Sequence, residues 1–342
     1  MTIRHIDNLC RPGALPAEPG VPQLIETHIS WVLVGEYFVY KFKKPIRYSF
    51  LDFSSPEKRR YYCEREVMLN KRLTTGIYLG VVPVWLSPQG WTFKNLGGPP
   101  CDFAVRMRKM DPARRMDLLV SAGGLTAADV EVLAARIAGF HRCAPAIRDT
   151  NKDDSFAMRG LFNDLGREKG FLREKLGSWA GDLIDESIEY SNHYLQENAQ
   201  LLSSRRAEGL YRDGHGDLHC RNIFLLDQPQ VFDCIEFNDE LRQVDVLNDV
   251  AFLCMDLDHL GREDLAALFM SRYLRNLPEA MSAGQEHLIN YYKLYRANIR
   301  AKINSLRARN APTSSETRSS LDTAVAYLRL MTRYRATVTY DA

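Results

Sequence analysis

Alternating apolar and polar residues near the start of the chain predict β-strands. Residues 24–44 are rich in β-branched and aromatic side chains and are interrupted at Gly35, which indicates two strands around a tight turn. If residues 31–34 and 37–43 form this hairpin, successive side chains point to opposite faces. The sequence therefore predicts an antiparallel sheet in the front part of the chain.

A helix is predicted directly after the hairpin, because its start signals stand together. Ser55 is a suitable N-cap, Pro56 fits the first turn, and Glu57 lies near the positive end of the helix dipole. Residues 78–86 and 101–110 again have the composition of strands. The front part is thus predicted to be a sheet with one helix.

The apolar period changes to that of helices further along the chain. Thr126 is a candidate cap for a helix whose apolar residues recur every three or four positions, as at Val130, Leu133 and Ile137. Residues 149–208 form a charged, helix-prone insertion. A β-rich front part followed by helices predicts an α+β fold.

Composition narrows the classes of partner and compartment. The 342 residues suffice for two lobes, and the net charge of +2 argues against nucleic-acid or membrane partners. Seven cysteines without a CxxC pair indicate free thiols, and no run of eighteen apolar residues or secretory leader is recognisable. A cytoplasmic protein is expected, and its oligomeric state is not indicated.

The most informative segment is HGDLHCRNIFLL, residues 215–226. It places Asp217 and Asn222 five residues apart, and Asp233 follows in VFDCIEF. Phosphoryl transfer requires positioned cations and an oriented nucleophile, and little covalent chemistry from the protein. Two carboxylates and an amide on short loops are suited to that task.

This segment resembles the HRDxxxxN and DFG elements of protein kinases, and HGDLHxxN is similar to the aminoglycoside phosphotransferase and choline kinase group. The resemblance implies a two-lobed, protein-kinase-like α+β fold that transfers the γ-phosphoryl group of ATP to a hydroxyl of a small molecule. It implies Asp217 as catalytic base and Asn222 and Asp233 as ligands of Mg²⁺.

The same resemblance predicts a domain division. Residues 1–22, rich in proline and glycine, would be an extended lead-in, and residues 23–109 the nucleotide-binding N-lobe. Residues 110–342 would be a helical C-lobe containing the catalytic loop at 215–236. ATP and Mg²⁺ would lie between the two lobes.

In the front lobe, Lys41 resembles the kinase lysine that binds the α- and β-phosphates, with Lys43 as the fallback choice. Glu66 is the candidate partner of that lysine, because it shares a helix side with the apolar Leu69 and Leu73. Glu64 points away on the same helical wheel.

Neither a GxGxxG loop nor a P-loop is present, so the phosphates would be met by side-chain or backbone donors of Thr27, His28 and Ser30. Backbone groups from Met107 to Met110 would hold the purine ring, although a plain edge strand accounts for this segment equally well. ATP and GTP are not distinguished, and the acceptor is not identified.

Two other functions remain open. A nucleotide-binding pseudokinase that regulates a partner is compatible with the missing glycine-rich loop. A metal-dependent hydrolase would use His215, Asp217 and His219, which alternate and would point the same way on one strand. That hydrolase leaves Asn222 and Asp233 unexplained.

Several further residues allow a structural or a functional interpretation. Glu236 is either a carboxylate near the metals or a surface residue, and Asp249 is expected to support the catalytic loop. His141 is expected to be a packed residue. Arg296 and Arg300, four residues apart, more often form a solvated face than a site for an anionic acceptor.

Overall fold

The structure is a computed structural model that describes residues 3–48, 51–88, 90–149, 154–282 and 285–338. It divides into two compact units. The first comprises residues 1–119, 215–217 and 221–242, and the second residues 120–214, 218–220 and 243–342. Most of the predicted catalytic loop therefore groups with the sheet unit, whereas the sequence assigned it to the helical lobe.

The strands are β1 (Gln23–Glu26), β2 (Ser30–Val34), β3 (Phe38–Lys43), β4 (Arg47–Tyr48), β5 (Leu51–Asp52), β6 (Tyr78–Ser87), β7 (Gly90–Thr92), β8 (Asp102–Arg108), β9 (Tyr211–Asp213), β10 (Ile223–Leu225), β11 (Pro229–Val231) and β12 (Gln243–Asp245).

The α-helices are α1 (Ile3–Leu9), α2 (Pro56–Asn70), α3 (Met116–Ser121), α4 (Ala127–Cys143), α5 (Asp154–Asn163), α6 (Lys169–Leu176), α7 (Ser178–Glu197), α8 (Ala199–Ala207), α9 (Val246–His259), α10 (Glu263–Asn276), α11 (Glu286–Asn310) and α12 (Ser314–Val338). Short 3₁₀ turns follow α5 and precede β10.

The first unit is built on an antiparallel sheet with the strand order β1-β2-β3-β8-β6-β7. The predicted hairpin is confirmed: β2 pairs with β3, with Val32 opposite Lys41. Strand β8 lies between β3 and β6, so the interpretation of residues 101–110 as an edge strand was wrong. Because β8 is central, its end leads directly from the middle of the sheet into residues 109–112.

Helix α2 packs on one face of this sheet. Its N-cap is Ser55, as predicted, and the Ser55 side chain accepts a hydrogen bond from the Lys58 amide. Arg59 makes a bidentate contact with the buried Asp102 carboxylate on β8, with Nε to Oδ1 at 2.9 Å and Nη2 to Oδ2 at 2.8 Å. Cys63 and Val67 pack against β8. The helix is thereby fixed in rotation, which determines where Glu66 points.

The opposite face of the sheet is covered by the start of the chain. Ile6 and Leu9 of α1, together with Leu15, are buried in one cluster with Trp31 and Tyr40. The prediction of an extended lead-in at residues 1–22 was therefore wrong for Ile3–Leu9, which form α1, whereas residues 10–22 form neither helix nor strand. Its proline and glycine content concealed the three apolar residues that anchor it.

The second unit is mainly helical and confirms the predicted change of period. Thr126 and Asp129 form a reciprocal capping box at the start of α4. The predicted helix-prone insertion consists of α5 to α8 and a 3₁₀ turn. Among the described helices, none is both long enough and apolar enough to cross a membrane. The mixed α+β fold class agrees with the sequence.

Candidate active site

Lys41 occupies the centre of a buried charge cluster in the first unit. Its Nζ lies 2.9 Å from Oε1 of Glu66 on α2 and 2.6 Å from Oδ1 of Asp233, which follows β11. Only 13% of the Lys41 side chain is exposed, against 42% for Asp233. The structure thus brings Lys41 next to a helix glutamate and next to Asp233, which lies 192 positions further along the chain.

Lys43 extends this cluster inward. It lies on the same face of β3, as strand alternation predicts, and its Nζ is 2.8 Å from Oε2 of Glu66. Its second partner is the buried Glu236. Each oxygen of Glu66 therefore receives a different lysine. Lys43 is fully buried, whereas Lys41 reaches the partly exposed Asp233, so Lys41 is the more accessible of the two lysines.

These charges shift one another's pKa values. Burial opposes ionisation of Glu66, but Lys41 and Lys43 together lower its pKa to about 2. Burial also opposes the charge on Lys41, but Asp233 and Glu66 hold its pKa well above the ordinary value. Burial raises the pKa of Glu236, with a further contribution from the Glu66 charge and partial compensation by Lys43. Glu66 is thus a fixed anion and Lys41 a fixed cation at neutral pH.

A short loop presents Asp217 next to Asn222. The Asn222 Nδ2 donates to the Asp217 carboxylate and to the Asp217 carbonyl, each at 3.0 Å. The His215 Nδ1 accepts from the Asp217 amide at 3.3 Å, and its Nε2 lies 3.0 Å from the Phe232 carbonyl. A neutral imidazole that donates through Nε2 satisfies both contacts. His215 therefore holds the loop in place through backbone groups.

Phe232 joins this loop to the lysine cluster. Its amide donates to the Asn222 carbonyl at 3.0 Å, and its carbonyl meets His215. Asp233 follows immediately, with a left-handed backbone at φ 63°, and its amide donates to the Tyr78 hydroxyl at 3.3 Å. Phe232 thus connects the pair of Asp217 and Asn222 with the pair of Lys41 and Asp233.

Some residues that hold this site were not singled out from the sequence. Arg242 is buried and donates to the Ile235 carbonyl at 2.7 Å, bracing the segment after Asp233. In the second unit, Asp256 of α9 accepts from the Cys220 amide at 2.9 Å. The available signal for Asp256 was an aspartate among the apolar residues of α9, a signal that it shares with Asp249 and Asp258. Arg242 carried none, because arginines are common near loops.

The predicted phosphate donors are only partly arranged for that role. The Thr27 hydroxyl is committed to the backbone of Ser30, accepting from its amide at 2.9 Å and donating to its carbonyl at 3.0 Å. Ser30 is buried, while His28 is exposed. The Thr27 hydroxyl thus shapes the turn, while the buried Ser30 hydroxyl has no hydrogen-bond partner among the described residues. The turn backbone and His28 remain as the exposed candidate donors.

The predicted purine-binding segment follows β8. The Met107 side chain is buried in the cluster under α2, and Met110 packs at its margin. The amides of Arg108 and Lys109 donate to the carbonyls of Ile77 and Tyr37 at 2.8 and 2.9 Å. Since these two amides are engaged within the sheet, Met110 is the better placed of the two predicted methionines to offer backbone groups to a base.

The remaining candidates have mainly structural surroundings. His141 is packed as predicted, with Nδ1 2.8 Å from the Tyr273 hydroxyl and Nε2 3.2 Å from Asp249. Arg296 is buried and donates to Asn248, so the prediction of a solvated face was wrong for this residue. Helix α11 packs against α9 and buries that position, which its flanking charges did not indicate.

Within the described ranges, no three His, Cys, Asp or Glu side chains are grouped to hold a metal ion. Asp233 and Asn222 offer hard oxygen atoms, and Mg²⁺ in nucleotide sites takes one or two protein ligands together with phosphates and water. Because both His215 nitrogens serve the backbone, the His215, Asp217 and His219 set of a hydrolase is not presented as a zinc site.

Comparisons with known proteins place the fold. No family model matches the chain. Two proteins described as uncharacterized, from Mycobacterium tuberculosis and Mycobacterium bovis, are each 32% identical over 304 residues. The match covers 88% of this chain, which spans 58% of the length of these relatives.

Two solved structures are similar over nearly the whole chain. One is a choline kinase from Cryptosporidium parvum, with a TM-score of 0.51, 12% identity, and coverage of 97% of this chain and 96% of that one. The other is a mutant of aminoglycoside 2'-phosphotransferase-IIIa in its GDP complex, with a TM-score of 0.53, 13% identity and full coverage of both chains. The chain therefore has the same overall fold as these two structures, a protein-kinase-like α+β fold.

Proposed function

We propose that this protein is a phosphotransferase that moves the γ-phosphoryl group of ATP, with Mg²⁺, to a hydroxyl group of a small molecule. The observation that carries the proposal is the pairing of Lys41 with both Glu66 and Asp233, joined through Phe232 to the Asp217 loop. A lysine fixed by a helix glutamate beside an aspartate is the arrangement with which kinases bind phosphates and metal.

The proposed reaction assigns a separate task to each residue. Asp217 accepts the proton of the acceptor hydroxyl. At the same time the hydroxyl oxygen forms a bond to the γ-phosphorus, and the bond from the γ-phosphorus to the β-phosphate oxygen breaks, which releases ADP. Asn222 orients the Asp217 carboxylate through its Nδ2 and offers its amide oxygen, together with Asp233, to the metal. When bound, Mg²⁺ neutralises charge on the phosphates. Lys41, oriented by Glu66, contributes positive charge to the same groups.

We propose the acceptor as a chemical class and ATP as the nucleotide. One similar structure is a choline kinase and the other is an aminoglycoside phosphotransferase. A shared fold does not determine the substrate. A small hydroxylated molecule is the class that we propose, with ATP as the first nucleotide to test. GTP is the direct alternative, since purine contacts through backbone groups near Met110 do not by themselves select adenine.

The test is a screen of amino alcohols, amino sugars and aminoglycosides with labelled ATP and Mg²⁺. It compares the whole chain with Asp217→Asn. We expect the variant to lose about 10²-fold or more in kcat, because general-base catalysis contributes roughly that much. Nucleotide affinity should change little. Asp227→Asn, at an exposed position in the β10–β11 turn, is the matched control and should retain full turnover.

Equal turnover in the wild type and Asp217→Asn would remove Asp217 from the reaction. Nucleotide binding without turnover on any acceptor would favour the regulatory pseudokinase. Stoichiometric, tightly bound zinc, measured by elemental analysis, would favour the hydrolase.

A further inference from the structure

Glu18, at the end of the lead-in, is held by an unusual set of donors in the first unit. Its carboxylate accepts hydrogen bonds from three consecutive amides of the β2–β3 turn: Glu36 at 2.6 Å, Tyr37 at 2.9 Å and Phe38 at 2.5 Å. Only 4% of Glu18 is exposed. Successive N–H groups that converge on one anion form a backbone nest, and bonds to a charged acceptor are the stronger kind.

The local sequence is shaped around this contact. A Cβ at Gly35 would lie 2.3 Å from Cδ of Glu18, so no larger residue fits while the carboxylate is in place. Ala17, immediately before Glu18, has a left-handed backbone with φ 58°. Such a conformation is rare for alanine and persists only when the surroundings impose it. The Tyr40 hydroxyl also donates to the Pro16 carbonyl at 2.7 Å.

Glu18 is the end of a packed segment, because the lead-in is anchored on the sheet. Ile6, Leu9 and Leu15 are at most 2% exposed and share a cluster with strands β2 and β3. The carboxylate is therefore delivered to the turn by a segment with its own apolar attachment.

The turn that receives Glu18 is connected to the proposed purine-binding segment. The Tyr37 carbonyl accepts from the Lys109 amide at 2.9 Å, and the Gly35 carbonyl accepts from Lys109 Nζ at 3.0 Å. Phe38 is the register partner of Arg108. A cavity of about 650 Å³ is lined by this turn and by residues 108–112. The position of the Lys109 backbone, and hence of Met110, depends on the turn.

We propose that Glu18 is a positioning residue for nucleotide binding, which acts by fixing residues 35–38 and through them the backbone of Lys109 and Met110. This inference rests on the proposed function, because it assigns that backbone to the purine. If Glu18 only anchors the lead-in, its loss lowers stability without changing the purine-binding segment.

The experiment compares the wild type with Glu18→Gln in two measurements. Without nucleotide, hydrogen exchange of the amides at 108–111 should become about tenfold faster, because local opening becomes easier. In steady-state kinetics, KM for the nucleotide should rise roughly fivefold, while kcat and KM for the acceptor stay within about twofold. Glu131→Gln, which breaks a partly exposed pair with Arg272 in the second unit, should change neither.

Two further variants keep the test decisive. Glu18→Asp retains the charge on a shorter side chain and should restore part of the nucleotide KM. Gly35→Ala retains Glu18 but displaces its carboxylate, and should reproduce the faster exchange even if Glu18→Gln fails to fold. Unchanged exchange at 108–111 in folded Glu18→Gln would overturn the inference. Failure of the wild type to bind nucleotide would refute the proposed function, while the exchange measurement still reports on the coupling.

Discussion

At the residue scale, Lys41 and Lys43 lie on one face of β3 and share Glu66, but their other partners differ. Lys41 ends beside the partly exposed Asp233, and Lys43 ends beside the buried Glu236. The buried pair of Lys43 and Glu236 cannot reach a ligand, so the contribution of Lys43 is to hold Oε2 of Glu66. The Glu66 carboxylate is thereby oriented with Oε1 toward Lys41.

Removal of Lys43 should therefore be costly. Lys43→Met leaves Glu236 without its cation, and breaking a buried pair costs about 3–5 kcal/mol of unfolding free energy. The double variant Lys43→Met with Glu236→Leu should recover most of this loss, since an apolar replacement of both partners is often neutral. Urea unfolding measures the difference.

The control for that comparison is Lys58→Met, which breaks a partly exposed pair with Asp52 and should cost less than about 1 kcal/mol. If Lys43→Met were no more damaging than Lys58→Met, the buried pair would have no structural importance.

Alternation and helical spacing predicted that a lysine of β3 and Glu66 would meet, because both patterns are local. They did not decide between Lys41 and Lys43. That choice depends on Asp233 and Glu236, which lie more than 190 positions away, and on which of them is buried. Local periodicity carries no information on such distant neighbours.

At the scale of elements, the loop that presents Asp217 depends on a close backbone approach. Gly216 has φ 83°, and a Cβ there would lie 2.7 Å from the Leu241 carbonyl oxygen. That oxygen belongs to the backbone of the segment braced by Arg242, so it has little freedom to move.

Gly216→Ala should consequently shift the loop. Alanine in a left-handed conformation costs about 1–2 kcal/mol by itself, and the contact with Leu241 adds to this. Gly98→Ala is the matched control, because Gly98 has φ 73° but no neighbour within 4 Å of a Cβ. We expect Gly216→Ala to lose more unfolding free energy than Gly98→Ala. We expect only Gly216→Ala to lower kcat. Equal stability and activity of the two variants would contradict the proposed constraint.

The elements themselves were largely predictable. The β2–β3 hairpin, the Ser55 cap and the Thr126 cap follow from short-range rules on turns and helix ends. Helix α1 was missed because the residues after it are rich in proline and glycine, and its stabilisation comes from strands that are distant in sequence. Tertiary burial outweighed local composition there.

At the scale of the whole molecule, the buried charges couple stability to pH. The pKa of Glu66 lies at about 2 in the folded protein, against an ordinary value of 4.5. Its stabilising contribution is fully present above the ordinary value and is lost as pH falls from there through the folded pKa. The raised pKa of Glu236 acts in the opposite sense, because that contribution is lost as pH rises.

Glu66→Gln should flatten the acid limb of the stability curve. We expect the variant to lose on the order of 3 kcal/mol of unfolding free energy at neutral pH, from the shift of the Glu66 pKa. The difference from wild type should shrink between about pH 5 and pH 2. Chemical unfolding at a series of pH values measures it. The exposed Glu64 on the same helix provides the comparison, and Glu64→Gln should follow the wild-type curve. A difference that stays constant down to pH 2 would contradict the assignment.

The left-handed backbone at Asp233 restricts what can replace this residue over evolutionary time. Glycine and asparagine adopt φ near 63° with little cost, whereas β-branched and bulky residues do not. A descendant without the proposed activity would thus still need a small residue of this kind at the position. Among descendants of this chain, asparagine here would be explained by the backbone geometry alone, whether or not the proposed phosphoryl transfer is retained.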